Sequence, residues 1–244
     1  EWLLPKDNAI IIQDSTITAE DWVLSRNDRA IRIEGTDQNG LEISFEDVNL
    51  GRFSRLLNSE EALLGGIMNG HVYLDEVLTN MGIRADLGIK QLAYYEQAMG
   101  DFDVAVSSAD NTNFELSASL KGAGNDLSVN GAYREGGVLD LQLAMKQLQL
   151  ASIEPFSLGY LKDTEGYLQG NLNMVGTIDA PRIDGEVNFR ETALSISLLG
   201  SRYRLNDQSI RFKGKTVVFD QFTLLDENDN SATLDGRVVL NSLE

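Results

Sequence analysis

His71 is the sole histidine of this 244-residue chain, and a histidine is the first place to look for acid–base or metal chemistry. Its neighbours Asn69, Gly70 and Val72 give it neither a triad nor a metal-ligand spacing, so it reads as a solvent-facing strand residue. Asp226, Asn228 and Asn230 stand at the first, third and fifth positions of a calcium loop. However, Ser231 replaces the central glycine and Arg237 occupies the place of the bidentate glutamate, which leaves a hairpin turn. Asp75-Glu76, Glu60-Glu61 and Asp101 with Asp103 are carboxylate pairs of the kind that could share a proton. No general acid, sugar-stacking aromatic cluster or nucleophile accompanies them, and solvated charge is the simpler reading. The chain has no cysteine, which removes disulfides, thiolate catalysis and cysteine-based metal sites together. These residues predict no catalysis, no metal and no cofactor.

The elements that carry them have a period of two. Ile10 and Ile12, Ile31 and Ile33, and Leu41, Ile43 and Phe45 alternate with polar neighbours, as do Phe102, Val104 and Val106, Phe114 to Leu120, and Leu139 to Met145. The pattern is cleanest after Gly170: Leu172 and Met174, Val187 and Phe189, Leu194, Ile196 and Leu198, Tyr203 and Leu205, Ile210 and Phe212, Val217 and Phe219, Phe222 and Leu224, Val238 and Leu240. Turn signals separate the runs, among them Gln38-Asn39-Gly40, Gly122 to Asp126, Arg134 to Gly137 and Asn206-Asp207. The spacing predicts an all-β chain of roughly eighteen to twenty strands, each of about 5–6 residues. Two short helices interrupt it, one over Arg52 to Leu64 with Ser59-Glu60-Glu61 as a polar start, and one over Pro155 to Lys162 with proline in its first turn. Trp2 and Trp22 are expected to pack against nearby strands.

A faint repeat underlies the order. Gly66 and Gly70 match Gly166 and Gly170, Val72 and Leu74 match Leu172 and Met174, and Ile83, Leu87 and Ile89 match Ile183, Val187 and Phe189. The repeat divides the chain into residues 1–140 and 141–242, each with a short helix leading into strands; residues 243–244 resemble a tag linker. The length fits one large all-β domain or two ordinary ones. A meander of this many strands has an apolar face to cover, and a sandwich, a barrel or a long sheet folded over a groove would each do so. Alternation alone does not pick among them.

The balance of charge excludes some partners. At −18, with 20 basic against 38 acidic residues, the chain lacks the Lys and Arg surplus that phosphate contacts require, which argues against nucleic acid and against adsorption to an anionic membrane. No apolar run approaches the ~18 residues of a membrane span, and the chain reads as a piece of something longer.

From Leu143 to Val238 the order of elements resembles the translocation and assembly module TamB family, within the AsmA-like group of bacterial envelope proteins. Leu148-Gln149-Leu150 leads to Ile153-Glu154-Pro155-Phe156, then to Gly166-Tyr167-Leu168-Gln169-Gly170, Gly176-Thr177 and Pro181-Arg182-Ile183-Asp184-Gly185. Tyr203-Arg204-Leu205, Ile210-Arg211-Phe212, Val218-Phe219-Asp220, Leu225-Asp226 and Ala232-Thr233-Leu234-Asp235-Gly236 follow. The first hundred and forty residues share it only through the internal repeat, which lacks the proline. The resemblance implies an antiparallel meander folded into a U-shaped groove (a β-taco). It also implies a place in the periplasm of a Gram-negative bacterium, attachment to the inner membrane through a segment outside this chain, and an outer-membrane barrel partner of the TamA type. The family is linked to phospholipid movement between membranes and to outer-membrane protein assembly.

An apolar groove has a physical rationale there. Exposing acyl chains to water costs ~0.8 kcal/mol per CH₂, or on the order of 13 kcal/mol for a sixteen-carbon chain. A continuous apolar trough removes most of that at every point along a path. Leu172, Met174, Val187, Phe189, Ile196, Leu198, Ile210 and Phe212 are the expected lining for phospholipid acyl chains. The competing reading is a docking module that engages a barrel or client strands by β-augmentation. In an ordinary sandwich the same residues would be core.

Overall fold

A computed structural model describes all residues except 1, 14–15, 37–38, 58–62, 109 and 241–244. The chain is nearly all β, with 73% of residues in strands, and fifteen of the strands form one large antiparallel meander sheet. The strands are β1 (Ala9–Gln13), β2 (Thr16–Glu20), β3 (Trp22–Arg26), β4 (Arg29–Thr36), β5 (Gly40–Asn49), β6 (Leu64–Asp75), β7 (Gly82–Tyr94), β8 (Gln97–Ser108), β9 (Phe114–Gly122), β10 (Asn125–Arg134) and β11 (Val138–Gln149). They continue with β12 (Leu161–Thr177), β13 (Ala180–Ile196), β14 (Ser201–Leu205), β15 (Ser209–Gly214), β16 (Thr216–Leu225) and β17 (Ser231–Val239). From β3 to β13 each strand pairs with the next in sequence; β13 then pairs with both β14 and β15, and β17 pairs with β16. β1 and β2 form a separate hairpin.

There are seventeen strands among the described residues because several alternating runs merge. Leu172 and Met174 share β12 with Leu161, and Val187, Phe189, Leu194 and Ile196 all belong to β13; these two strands have 17 residues each. Bulges make such lengths workable, each adding a residue and bending its strand. Register shifts fall between Phe45 and Val48 on β5, Gly65 and Ile67 on β6, Met145 and Leu148 on β11, Lys162 and Tyr167 on β12, and Phe219 and Phe222 on β16. Bulged residues take left-handed φ: Asp47 at 47°, Gln91 at 53°, Glu191 at 50° and Gln221 at 51°. Two of their N–H groups are satisfied sideways, Asp47 by Asn69 Oδ1 at 2.9 Å and Gln91 by Asp101 Oδ1 at 2.9 Å.

The expected helices are shorter than the periodicity suggests. The first is α1 (Leu50–Leu57), which opens at Asn49, whose Oδ1 accepts from the Arg52 N–H at 3.1 Å. Ser59-Glu60-Glu61 lies outside the described residues, and Leu64 already belongs to β6. Leu63 is drawn toward the ladder because its carbonyl accepts from Tyr95 N at 3.0 Å. The second helix is a pair of 3₁₀ turns, Leu150–Ser152 and Glu154–Ser157. Leu158 (φ 52°, ψ 29°) stops it in left-handed geometry, and Gly159 follows at φ 81°. Leu161 and Lys162 are strand residues. No helix among the described residues is long and apolar enough to cross a membrane.

The chain divides into two compact units. One comprises Glu1–Glu96, Asp101–Ser119 and Ala132–Glu135; the other comprises Gln97–Gly100, Leu120–Gly131 and Gly136–Glu244. In the first, Ile17 of β2 is buried and donates its N–H to Asn39 Oδ1 at 2.7 Å, while β1 leaves Ile10, Ile11 and Ile12 exposed. Trp2 packs on Phe53 with ring centroids 5.6 Å apart, and Trp22 is paired with Ile33. In the second, a buried polar knot fixes the 3₁₀ turns. Asn125 Nδ2 donates to Met99 O and to Ser152 Oγ, both at 2.8 Å, and its Oδ1 accepts from Gln149 N at 2.9 Å.

Replacing Asn125 by Ala strands three polar groups at once, the buried Met99 carbonyl and Ser152 hydroxyl and the half-buried Gln149 N–H. It should cost about 2–4 kcal/mol, read as a lower urea midpoint at unchanged slope.

Candidate functional site

Registers in the second unit place the expected lining residues strand by strand. One rung runs Leu143, Leu172, Gly185, Phe212, Val217, Val238 across β11, β12, β13, β15, β16 and β17. On one side of it lies Leu141, Met174, Ile183, Gly214; on the other lies Met145, Gly170, Val187, Ile210. At about 4.8 Å per strand the six-strand rung spans on the order of 24 Å. Opposed residues share a face and alternate residues return to it, so these rungs form one apolar surface. The opposite face of β12 and β13 carries Asn171, Asn173, Arg182, Asp184, Glu186 and Asn188.

Gly170 and Gly185 interrupt the apolar rungs for a backbone reason. A Cβ at Gly170 would collide with the Glu186 carbonyl oxygen, and one at Gly185 (φ 141°) with that of Asn171. Glycine lets the facing strand come this close.

The eight residues do not share one environment. Leu194, Leu205 and Phe222 are a buried cluster, and Phe189, Ile196 and Ile210 pack against it with Leu161, Phe219 and Leu224. Phe222 meets Phe189 and Phe219 edge-on, with centroids 5.6 and 5.7 Å apart. Val187 is also buried. This end of the face closes because β13 changes neighbours: residues 183–188 pair with β15, whereas 192–196 pair with β14, whose Arg204 is paired with Leu225 of β16. Leu172, Met174 and Phe212 lie outside the cluster; like Phe189, Ile196 and Ile210 they are partly buried. Leu198 departs from the expectation: β13 ends at Ile196, and Leu198 sits in the following turn, 81% exposed. Its alternation with Ile196 is broken because the Leu199 and Gly200 N–H groups both turn back to the Ile196 carbonyl at 3.0 Å. Leu141, Leu143, Ile183, Val217 and Val238 lie on the same rungs and were not among the expected eight, although the same alternation marks them.

The face repeats in the first unit. Phe45 is paired with Gly70 and Gly70 with Leu87, as Met145 is with Gly170 and Gly170 with Val187, one hundred residues on. Val48–Met68–Ile89 likewise corresponds to Leu148–Leu168–Phe189.

Several of the polar residues singled out by type have partners close by. His71 Nδ1 lies 2.9 Å from Glu42 Oε1 and its ring stacks on Tyr73. Asp226 accepts from the N–H groups of Asn228 and Asn230, both at 2.8 Å, and from the Asn230 amide at 2.9 Å; the amide contact leads in holding its carboxyl below the usual range. Asp101 is lowered first by the Gln91 N–H and then by Lys90. Asp75 pairs with Arg84 at 3.3 Å, and Glu60-Glu61 lies outside the described residues. Asp110, not singled out by the sequence pattern, is held down to about 2 by the Thr112 hydroxyl and by the N–H groups of Thr112 and Asn113. No group of three or more His, Asp or Glu among the described residues is arranged to hold a metal ion.

Comparison with protein-family models, curated proteins and solved structures yields no match.

The split between closed and open ends has a measurable consequence. Phe222→Ala should destabilise the protein by about 3–5 kcal/mol, and Phe212→Ala by no more than about 1.5 kcal/mol, both from urea unfolding.

Proposed function

We propose that the apolar face of the second unit, centred on Leu172, Met174 and Phe212, carries phospholipid acyl chains. The protein would thus serve as the periplasmic part of a bridge between inner and outer membranes. The observation that supports this reading is the six-strand rung from Leu143 to Val238, apolar on every strand except at Gly185, whose Leu172 and Phe212 remain partly exposed. Side chains along it have no hydrogen-bonding specificity, which suits a chain that must slide rather than stay. The envelope setting, the link to outer-membrane protein assembly and the barrel partner of the TamA type rest on the TamB-like order of turns from Leu143 to Val238. The reading assigns no catalytic step.

A second reading has its own support. β17 is exposed over all nine residues and pairs with β16, which presents a sheet edge to which a barrel or client strand could add.

Photo-crosslinkers placed at Leu172, Met174 and Phe212 should capture phospholipid, and one at Asn173 on the opposite face should not. Native mass spectrometry of Leu172→Arg should show less co-purified phospholipid with an unchanged circular dichroism spectrum. Equal capture on both faces, or none, would overturn the conduit reading. Loss of barrel capture in a Val238→Pro variant would then favour the edge.

A further inference from the structure

We infer that two adjoining loops, 155–161 and 197–200, form a membrane-docking tip that enters the interface of a phospholipid bilayer. The inference stands apart from the apolar rungs and does not rest on the conduit reading. The loops emerge side by side where β12 begins and β13 ends, with Leu161 paired to Ile196. Ser197 joins them: its N–H donates to the Tyr160 carbonyl at 2.9 Å and its hydroxyl to the Gly159 carbonyl at 2.6 Å. From this pair of turns project Leu158, 88% exposed, and Leu198, 81% exposed, together with Phe156, Tyr160 and Leu199, each more than half exposed. Five large apolar side chains at one protruding place exceed the scattered leucines of an ordinary surface.

Two further features identify the medium they suit. The first is charge. Residues 155–161 and 192–201 hold no Asp, Glu, Lys or Arg, in a chain that is 24% charged and carries −18. Of the flanking charges, Arg202 reaches Glu165 at 2.8 Å and the Asp163 carbonyl at 2.7 Å, and Glu154 accepts from the Thr164 hydroxyl at 2.8 Å, while Lys162 and Glu191 stand at the borders of the two stretches. The second is hydrogen bonding. The N–H groups of Phe156, Tyr160, Ser197, Leu199 and Gly200 all donate to carbonyls within or beside the loops. The Ser157 hydroxyl donates to Glu154 O at 2.7 Å. Each of these pairs lowers the cost of bringing loop backbone against the apolar side of a bilayer interface. Tyr160, with an apolar ring and a polar tip, is a residue type favoured at headgroup depth. The acidic surface makes an uncharged, zwitterionic bilayer the preferred partner, since anionic lipid repels the rest of the chain.

The absence of cysteine permits a clean test. Leu158→Cys and Leu198→Cys, labelled with an environment-sensitive fluorophore, should shift to the blue on addition of phosphatidylcholine vesicles. Lipids spin-labelled near the headgroup should quench them, and a label at Asn173→Cys should not respond. The unlabelled protein should float with these vesicles, less so as phosphatidylglycerol replaces phosphatidylcholine at low salt. The Leu158→Ser/Leu198→Ser double variant should partition on the order of tenfold more weakly per leucine removed. Emission that vesicles leave unchanged at both positions, or a double-serine variant that floats like the parent, overturns the proposal. The first result would also be that of loops serving a protein pocket.

Discussion

A one-residue slip of β13 along β12 would turn Val187 and Phe189 away from the face of Leu172 and Met174 and bring Glu186 and Asn188 into their place. The whole second unit depends on preventing that slip, because β11, β14 and β15 all take their own alignment from these two strands. Hydrophobic alternation favours the observed register, and glycine pins it. Gly170 faces the Glu186 carbonyl and Gly185 the Asn171 carbonyl so closely that shifting a side chain into either place would force the strands apart. The bulges at residues 162–167, opposite Glu191, then set the bend that lets 192–196 part from the line of β15 and accept β14.

That device occurs twice. Gly70 with the Asp86 carbonyl, the shift around Gly66 and left-handed Gln91 reproduce Gly170 with Glu186, Gly166 and Glu191 at an offset of one hundred residues. What differs is what precedes and follows. Before β6 stands an α-helix capped by Asn49; before β12 stand 3₁₀ turns tied down through Asn125 and Ser152. After β7 a single strand, β8, continues the sheet, whereas β13 divides its edge between β14 and β15. That division brings Leu205 and Phe222 over Leu194. The repeat therefore fixes the apolar face in both units, and the core closing the end of β13 belongs to the second alone.

Much of this was legible in the residues, and the part that was not has identifiable causes. Period-two alternation is a local property, so the all-β class and the apolar faces of Leu172, Met174 and Phe212 could be read directly. Turns bearing glycine or asparagine, such as Gly136-Gly137 and Asn206-Asp207, could be read too. The hairpin at Tyr95-Glu96 could not, since both residues take left-handed φ (44° and 64°) without the residue types that usually signal it. Strand ends were misjudged for a related reason. A bulge breaks alternation without ending a strand, so β12 and β13 looked like several short strands. Leu198 keeps the alternation of Leu194 and Ile196 even though the backbone has already turned. The buried cluster is the least local feature: nothing in the spacing of Phe189, Leu205 and Phe222 shows that a strand will change neighbours halfway.

The cluster also separates the apolar residues that pack around it from those that do not. Phe189, Ile196 and Ile210 look identical to Leu172 and Phe212 in sequence, yet they pack around Leu194 and Phe222, where a guest chain could enter only by displacing packed side chains. Leu172, Met174 and Phe212 lie a rung or more away from that packing and keep part of their surface open. One alternating pattern thus supplies both the packed end of the face and the rungs beside it. The division between them is set by where β13 exchanges β15 for β14.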